Sequence, residues 1–381
     1  MKIEHRKVTT RDIKNPVKYM LWGRAAGRCE FSGCNKPLWK SSVTQDPVNI
    51  AQNAHIYAFS EDGPRSNKGI SKTQLNDFAN LLLICHECHR NIDVRKDGGR
   101  YTVALLQQWK SAHERRIEIV TGIVPTKRSS VLLYGVNIGA HSSPLNFVDA
   151  ASALFPRRYP DDNKGIELGL INSSQSERDA SFWKTERENL EGKFDRRVKE
   201  RIAKGEVDHL SVFGLAPQPL LILLGSLMID ITRAEVFQLH REPGGWAWPS
   251  SARALEFSVQ KPSTFDGPPA LVLSLSATVT PDRITDVLGE KASIWTLTIP
   301  KPNNDFVKSR QHLAQVRTLL RPLLDEIKAH HGQRTPLHIF PAAPVSLSIE
   351  LGRIRMPKAD MPWEIYDQVG QHGFIPALTI A

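Results

Sequence analysis

All four cysteines of this 381-residue chain fall in one stretch, as Cys29-x4-Cys34 and Cys85-His-Glu-Cys88-His89. Two close pairs separated by about fifty residues can converge on one ion, and four thiolates with no open position are a donor set of structural zinc. The spacing therefore predicts a zinc knot of Cys29, Cys34, Cys85 and Cys88. Disulfides fit less well, because four cysteines in a chain this long, with no charged-then-apolar opening, do not look like a secreted scaffold. Three more residues with chemical capacity lie near the pairs. His55 ends the strand-like run Val48 to Tyr57, Asn80 opens Asn-Leu-Leu-Leu-Ile-Cys, and His89 follows the fourth cysteine. A knot that pins Cys85 and Cys88 also fixes where Asn80 and His89 point. An imidazole titrates near neutral pH and can take a proton from water. The set could thus supply a general base in His55, a metal ligand in His89 and an orienting amide in Asn80. A lone strand histidine is more often a satisfied core or surface residue; its place between the cysteine pairs favours chemistry.

The order His, Asn, His among two cysteine pairs resembles the HNH branch of the ββα-metal nucleases. Further matches are Gly63-Pro64-Arg65 after the first histidine, Ile92-Asp93 after the last, and a closing Trp109-Lys110…His113-Glu114. The resemblance covers about residues 20–120. It implies an α+β domain that hydrolyses a phosphodiester with His55, Asn80 and His89 as the catalytic set, beside a structural Zn2+ and a catalytic Mg2+-type ion. One position departs from the pattern: many such sites carry an acidic or histidine ligand just before the base, and here that residue is Ala54. Another oxygen must then join His89. Asp93 follows it by four residues and would share its helix face, Asn53 shares the strand face of His55, and Asp46 is a third candidate.

Elements that would position these groups can be read around them. A short helix from Pro16 to Ala26 leads into Cys29, Ser41 to Ser60 reads as a strand pair presenting His55, and Thr73 to Leu83 as a short helix and turn. Leu106, Trp109, His113, Ile117 and Val120 share one face of a helix from Tyr101 to Thr121. Charge sets this region apart. Residues 1–130 carry 22 Lys and Arg against 12 Asp and Glu, whereas residues 131–381 carry 28 of each, so the whole surplus of +10 sits on the cysteine region. A local basic excess suits a polyanion such as double-stranded DNA, with Arg65, Lys68, Lys72, Arg90 and Arg95 as backbone contacts; a solvated basic surface is the plainer alternative. The longest apolar stretch, Leu220 to Ile231, is too short to span a membrane, and the cytoplasm is the expected compartment.

Val124 to Ser130 reads as a linker between domains at 1–123 and 131–381. Beyond it, apolar strand runs alternate with amphipathic helices, as in an α/β layer, and one unit recurs. Phe213 and Phe340, Pro217 and Pro344, and Gly225 and Gly352 are each 127 residues apart, which predicts two similar lobes at about 131–255 and 256–381. Ser-Val-Phe-Gly-Leu-Ala-Pro and His-Ile-Phe-Pro-Ala-Ala-Pro, each followed by Leu-Gly, resemble a SAVED domain, two fused CARF-like Rossmannoid lobes that bind cyclic oligonucleotides. Ligands of open α/β sheets sit beyond the carboxyl ends of the strands. That places candidate contacts at Ser142, Ser143, Lys301 and the turn of Pro341, Ala342 and Ala343, with Trp183, Trp246 and Trp248 as stacking platforms and Arg241 as a phosphate or base partner. Core packing is the competing reading for each tryptophan.

Together the halves resemble the HNH–SAVED effectors of bacterial cyclic-oligonucleotide anti-phage signalling (CBASS). The resemblance implies a cytoplasmic DNA endonuclease activated by a cyclic dinucleotide or oligonucleotide, working as a homodimer or larger assembly because two strands need two sites. Two other readings compete: a zinc-stabilised, ligand-responsive DNA-binding regulator that does not cut, favoured by Ala54, and an HNH restriction enzyme whose second half reads modified DNA.

Overall fold

A computed structural model describes residues 12–66, 70–94, 99–137, 145–170, 179, 181–249, 255–370 and 373–381. Contacts divide the chain into two units, Met1–Val124 and Pro125–Ala381. In the first unit, Pro16 opens helix α1 (Asn15–Arg24), where its missing N–H costs nothing. Strand β1 (Ala51–His55) pairs antiparallel with β2 (Leu81–Cys85), placing Ala51 opposite Cys85 and His55 opposite Leu81. Every residue of β2 is buried, as a continuous apolar run must be when both faces are covered. Helix α2 (His86–Ile92) follows β2 directly. Helix α3 (Val103–Thr121) starts at Thr102, whose hydroxyl accepts from the Leu105 N–H at 3.2 Å. Leu21, Leu38, Ile56, the β2 leucines and Leu106 form the core.

Two expected elements differ. The partner of the His55 strand is β2, not the segment before it: residues 41–47 form a turn in which the Ser41 hydroxyl accepts from the Val43 and Thr44 N–H groups. Residues 81–83 are strand rather than helix, because an unbroken apolar run is better buried between β1 and the helices.

The second unit holds two lobes. In the first, β3 (Arg128–Gly135) lies beside β4 (Leu210–Leu215), and β4 beside β5 (Ala234–Val236), all parallel. Its helices are α4 (Phe147–Ser152), capped by Asn146, α5 (Phe182–Phe194), prolonged through a π turn to Ala203, and α6 (Gln218–Leu227). The second lobe contains β6 (Ser258–Gln260), β7 (Pro269–Ser274), α7 (Asp282–Leu288), β8 (Ser293–Thr298), α8 (Arg310–His331), β9 (Leu337–Ala342), α9 (Val345–Arg353), β10 (Trp363–Gln368) and β11 (Phe374–Ile380). Its sheet runs β6-β8-β7-β9-β10-β11, parallel in the middle with antiparallel edges. No helix among the described residues is long and apolar enough to cross a membrane. The stretch expected as a linker at 124–130 is partly structure: 125–127 form a helical turn and Arg128 already begins β3. Ser129 and Ser130 are buried there, and the Ser129 hydroxyl meets His209 Nδ1 and the Ser211 hydroxyl, each at 2.8 Å, which is how a polar segment enters a sheet without loss.

The internal repeat is visible in the elements. Strands β4 and β9 begin at 210 and 337, and helices α6 and α9 at 218 and 345, each pair 127 apart. The two helices cross at their equivalent glycines. A Cβ on Gly225 would lie 2.0 Å from the Ile349 carbonyl oxygen, and one on Gly352 would lie 2.0 Å from that of Ile222. Ile222 and Ile349 are themselves related by the same offset, so the contact has local two-fold symmetry.

Two expectations follow from this packing. Gly225→Ala and Gly352→Ala should each destabilise the chain by about 1–3 kcal/mol or more through overpacking, seen as a lowered thermal midpoint; a wild-type midpoint in both would remove the crossing. The His209 ring is pushed down from 6.5 to about 4 by burial, with Arg158 and Lys127 adding to it. A histidine kept neutral by folding gives stability that is complete above about pH 6.5 and is lost as pH falls toward about 4. Denaturant midpoints should therefore drop across that interval, and drop less in His209→Gln.

Candidate functional site

Residues 29–30 run alongside β2: the Glu30 N–H donates to the Leu83 carbonyl at 2.9 Å, and a Glu30 carboxylate oxygen accepts the Leu83 N–H at 2.6 Å. This docking brings the two cysteine pairs together. The sulfurs of Cys29, Cys34, Cys85 and Cys88 all lie within 4.8 Å of one another, and the Cys85 N–H donates to the Cys29 sulfur at 3.3 Å. Zn–S bonds of ~2.3 Å in a tetrahedron need sulfurs just under about 4 Å apart, and Cys34 and Cys85 already stand at 4.0 Å. Burial pushes the Cys29 thiol up to about 12, and burial likewise raises Cys88. At Cys85 burial is outweighed by hydrogen bonds from the Cys88 backbone and the neighbouring thiols, leaving it below its usual value. A buried cluster that resists losing its protons as thiols is what a divalent cation would hold as thiolates. The four residues fit zinc.

Asn80 bonds to the loop after His55, while the His55 ring is held by another residue. The His55 ring is held by Asn76, with Nε2 and Asn76 Oδ1 3.0 Å apart. Asn80 instead clamps the chain after His55: its carbonyl oxygen accepts the Tyr57 N–H at 2.8 Å, while its amide donates to the Leu75 carbonyl at 2.9 Å. With Asn76 Oδ1 accepting, the His55 proton sits on Nε2 and the Nδ1 lone pair is left for a proton. His89, on α2, has Nε2 3.7 Å from Asp93 Oδ2. Burial lowers the His89 pKa against the pull of Asp93, and the charges of His86, Arg65 and His55 lower it further, so the ring is neutral and able to bind metal at neutral pH. Ala54 is buried, Asp46 is exposed in its turn, and Asn53 Oδ1 is buried with no hydrogen-bond partner among the described residues. The four cysteines are the only group of three or more such side chains close enough to share an ion among the described residues.

Arg65 does not face solvent as a DNA contact would. It is 8% exposed and donates to the Ile56 and Ile92 carbonyls, each at 2.7 Å, and to Asp93 at 2.9 Å. It thus joins the His55 loop to the carboxyl end of α2, where a cation is favoured. Arg90 is exposed; Lys68 and Arg95 lie outside the described residues, as do Ser142 and Ser143.

In the second unit a cavity of about 620 Å³ opens beyond the carboxyl ends of β4 and β9, a size usual for small-ligand sites. The turns into α6 and α9 supply Ala216, Pro217 and Gln218 from one lobe and Ala343, Pro344 and Val345 from the other. Gln238, Arg241, Ser276, Asn304, Asp367 and Gln368 add the rest of its polar wall. The Gln218 carbonyl oxygen accepts the Ala343 N–H at 3.0 Å and the Ser348 hydroxyl at 3.2 Å. That of Gln238 accepts the Ser346 N–H at 3.3 Å and its hydroxyl at 2.6 Å. Helix α9 starts at Pro344 with no cap of its own, and Gln238 from the other lobe fills that role.

The profile of the family called SAVED, described as the SMODS-associated and fused to various effectors sensor domain, matches residues 190–380. The chain belongs to the SAVED family. No curated protein matches the sequence. Among solved structures, the Cap4 SAVED/CARF-domain containing receptor of Acinetobacter baumannii with the cyclic trinucleotide 2'3'3'-cAAA is similar at 11% identity over 72% of this chain and 55% of that one, with a TM-score of 0.43. The same receptor with 3'3'3'-cAAA gives 13% identity over 81% and 58%, with a TM-score of 0.42. The Moraxella osloensis Cap4 SAVED/CARF-domain containing receptor gives 12% over 83% and 71%, with a TM-score of 0.37. The chain thus spans less than two thirds of the first two structures.

Of the ligand contacts expected in the SAVED domain, Arg241, Pro341 and Ala343 line the cavity, and Ala342 is not among its lining. Lys301 is exposed and outside the lining. The tryptophans are packed rather than presented: Trp183 and Trp246 are buried, Trp246 edge-on to Phe213, and Trp248 lies against His240. Gln218 and Gln238 were missed, since a glutamine beside a strand-to-helix turn carries no signal of what it will cap.

The knot can be tested directly. Purified protein should carry about one zinc per chain by metal analysis, and Cys29→Ser or Cys88→Ser should lose both that zinc and the first thermal transition. Full metal-free stability in the presence of a chelator would count against it.

Proposed function

We propose that the chain is a metal-dependent DNA endonuclease held in check until a cyclic oligonucleotide occupies its SAVED domain. The reading is supported by one observation: the region bearing the basic surplus also holds the four-cysteine site, with Cys85 ending the strand that pairs with that of His55 and His89 on the helix that follows, in the same chain as a sensor domain. His55 Nδ1 would take the proton of the attacking water, with Asn76 holding the ring and Asn80 the backbone behind it. His89 and Asp93 would hold a divalent ion, since Mg2+ keeps several waters and needs few protein ligands. When bound, that ion would stabilise charge on the phosphate and the leaving oxygen. The sensor would act by binding its ligand more tightly in the cutting arrangement than in the resting one, and a duplex break would require two copies.

Ala54 and the two-residue His89–Asp93 pair support a second reading, a DNA-binding regulator without cleavage. Plasmid incubated with the full chain, Mg2+ and a panel of cyclic di- and trinucleotides separates them. Cleavage that appears with one ligand and falls at least about 100-fold in His55→Ala is expected. Undiminished cutting by His55→Ala would take the base role from it, and a mobility shift with no product under every ligand would favour the regulator.

A further inference from the structure

The two-fold relation between the lobes allows each wall of the cavity to be compared with its counterpart, and the two walls are chemically unequal. Gln218 corresponds to Val345 by the 127-residue offset, and both line the cavity. The next pair follows from strand register. Leu210 faces Ala234 across β4 and β5, and its counterpart Leu337 faces Trp363 across β9 and β10. Counting equally onward from Ala234 and Trp363 pairs Arg241 with Gly370 and Gln238 with Asp367, and all four line the cavity. At the 218/345 and 241/370 positions one lobe therefore presents an amide and a guanidinium where the other presents a valine and a glycine, the polar residues Ser276, Asn304 and Gln368 of the second lobe lining the cavity elsewhere.

The orientation of Gln218 is fixed by chemistry. A backbone N–H can only donate, so the Gln218 atom facing the Ala343 N–H at 3.0 Å is its carbonyl oxygen. The amide nitrogen is thereby turned the other way, and it has no hydrogen-bond partner among the described residues. Gln238 is spent internally, because its amide donates to the Leu239 carbonyl at 2.8 Å. Arg241 makes no ion pair among the described residues, and its backbone is anchored: its N–H donates to Asp305 at 3.1 Å, and Asp305 is paired with Lys308 at 2.6 Å.

We infer that the cavity holds its ligand in a single orientation, with one phosphate oxygen received by the Gln218 amide and the Arg241 guanidinium and no equivalent phosphate contact on the Val345 and Gly370 side. This rests on the cyclic-oligonucleotide reading above and makes Gln218 a specificity-determining residue of that site. It follows that the two lobes, though built alike, contact different parts of the ligand.

Calorimetric titration of the full chain with 2'3'3'-cAAA, 3'3'3'-cAAA, cyclic di-AMP and cyclic di-GMP gives the wild-type reference. Gln218→Glu keeps the oxygen that accepts from Ala343 and Ser348 but turns the donor into an anion, so a merely structural glutamine would tolerate it. Affinity for the ligand that binds wild type should fall at least about tenfold in Gln218→Glu and in Arg241→Ala, while Val345→Gln should stay within about threefold. Wild-type affinity in Gln218→Glu, or a gain of about tenfold in Val345→Gln, would overturn the single orientation and leave the sensor reading intact. Wild-type protein that binds none of the four overturns both.

Discussion

Four sulfur atoms gathered in a partly buried space cannot all ionise unless a cation stands among them, and this electrostatic demand governs the first unit. The strand β2 and the helix α2 meet at Cys85, so an ion that grips Cys85 and Cys88 fixes the angle between them. From β2 the register runs to His55, and from α2 the side chain of His89 projects. Without that grip, a two-stranded sheet and a two-turn helix have little to hold them, since isolated pairs of strands and short helices are marginal in water.

Around this frame, polar side chains supply what apolar packing does not. Asn80 closes the bend after β1, Arg65 reaches from a left-handed turn to three separate carbonyls, and Asn76 sets the tautomer of His55. Each bond is between segments distant in the chain, and each acts on a loop that would otherwise be free. A similar division holds in the second unit. Apolar strands and helices build the lobes, while two glutamines from the first lobe satisfy amides at the start of a helix in the second.

What could be read in the sequence was what residue identity encodes by itself. The convergence of the cysteine pairs was legible because few uses other than metal binding need that spacing, and the repeat because glycine, proline and apolar residues recur in step. The partner of strand β1 was harder, since Ala-Gln-Asn-Ala-His has no apolar face to say which strand it joins. Strands β10 and β11 went unseen for a related reason: polar residues alternate through the first, and Pro376 interrupts the second, tolerable only because it forms the sheet edge. Arg65 was misjudged because a charged residue in a turn usually faces water, and burial with full hydrogen bonding cannot be inferred from its neighbours. Asn76 gains its role from a histidine twenty-one residues away, and the tryptophans were read for their rings when their burial decides their use.

Helix α6 is buried at every position from Pro219 to Gly225. No face of it is suited to water, and it touches α9 backbone to backbone at the glycine crossing, where there is no side chain to repack. Neither lobe could be cut away and leave the other intact, because the first would expose a bare apolar rod and the second the backbone at its own crossing glycine. The duplicated halves are thus a single cooperative folding block, and the cleft between them is inherited by the pair and by neither alone.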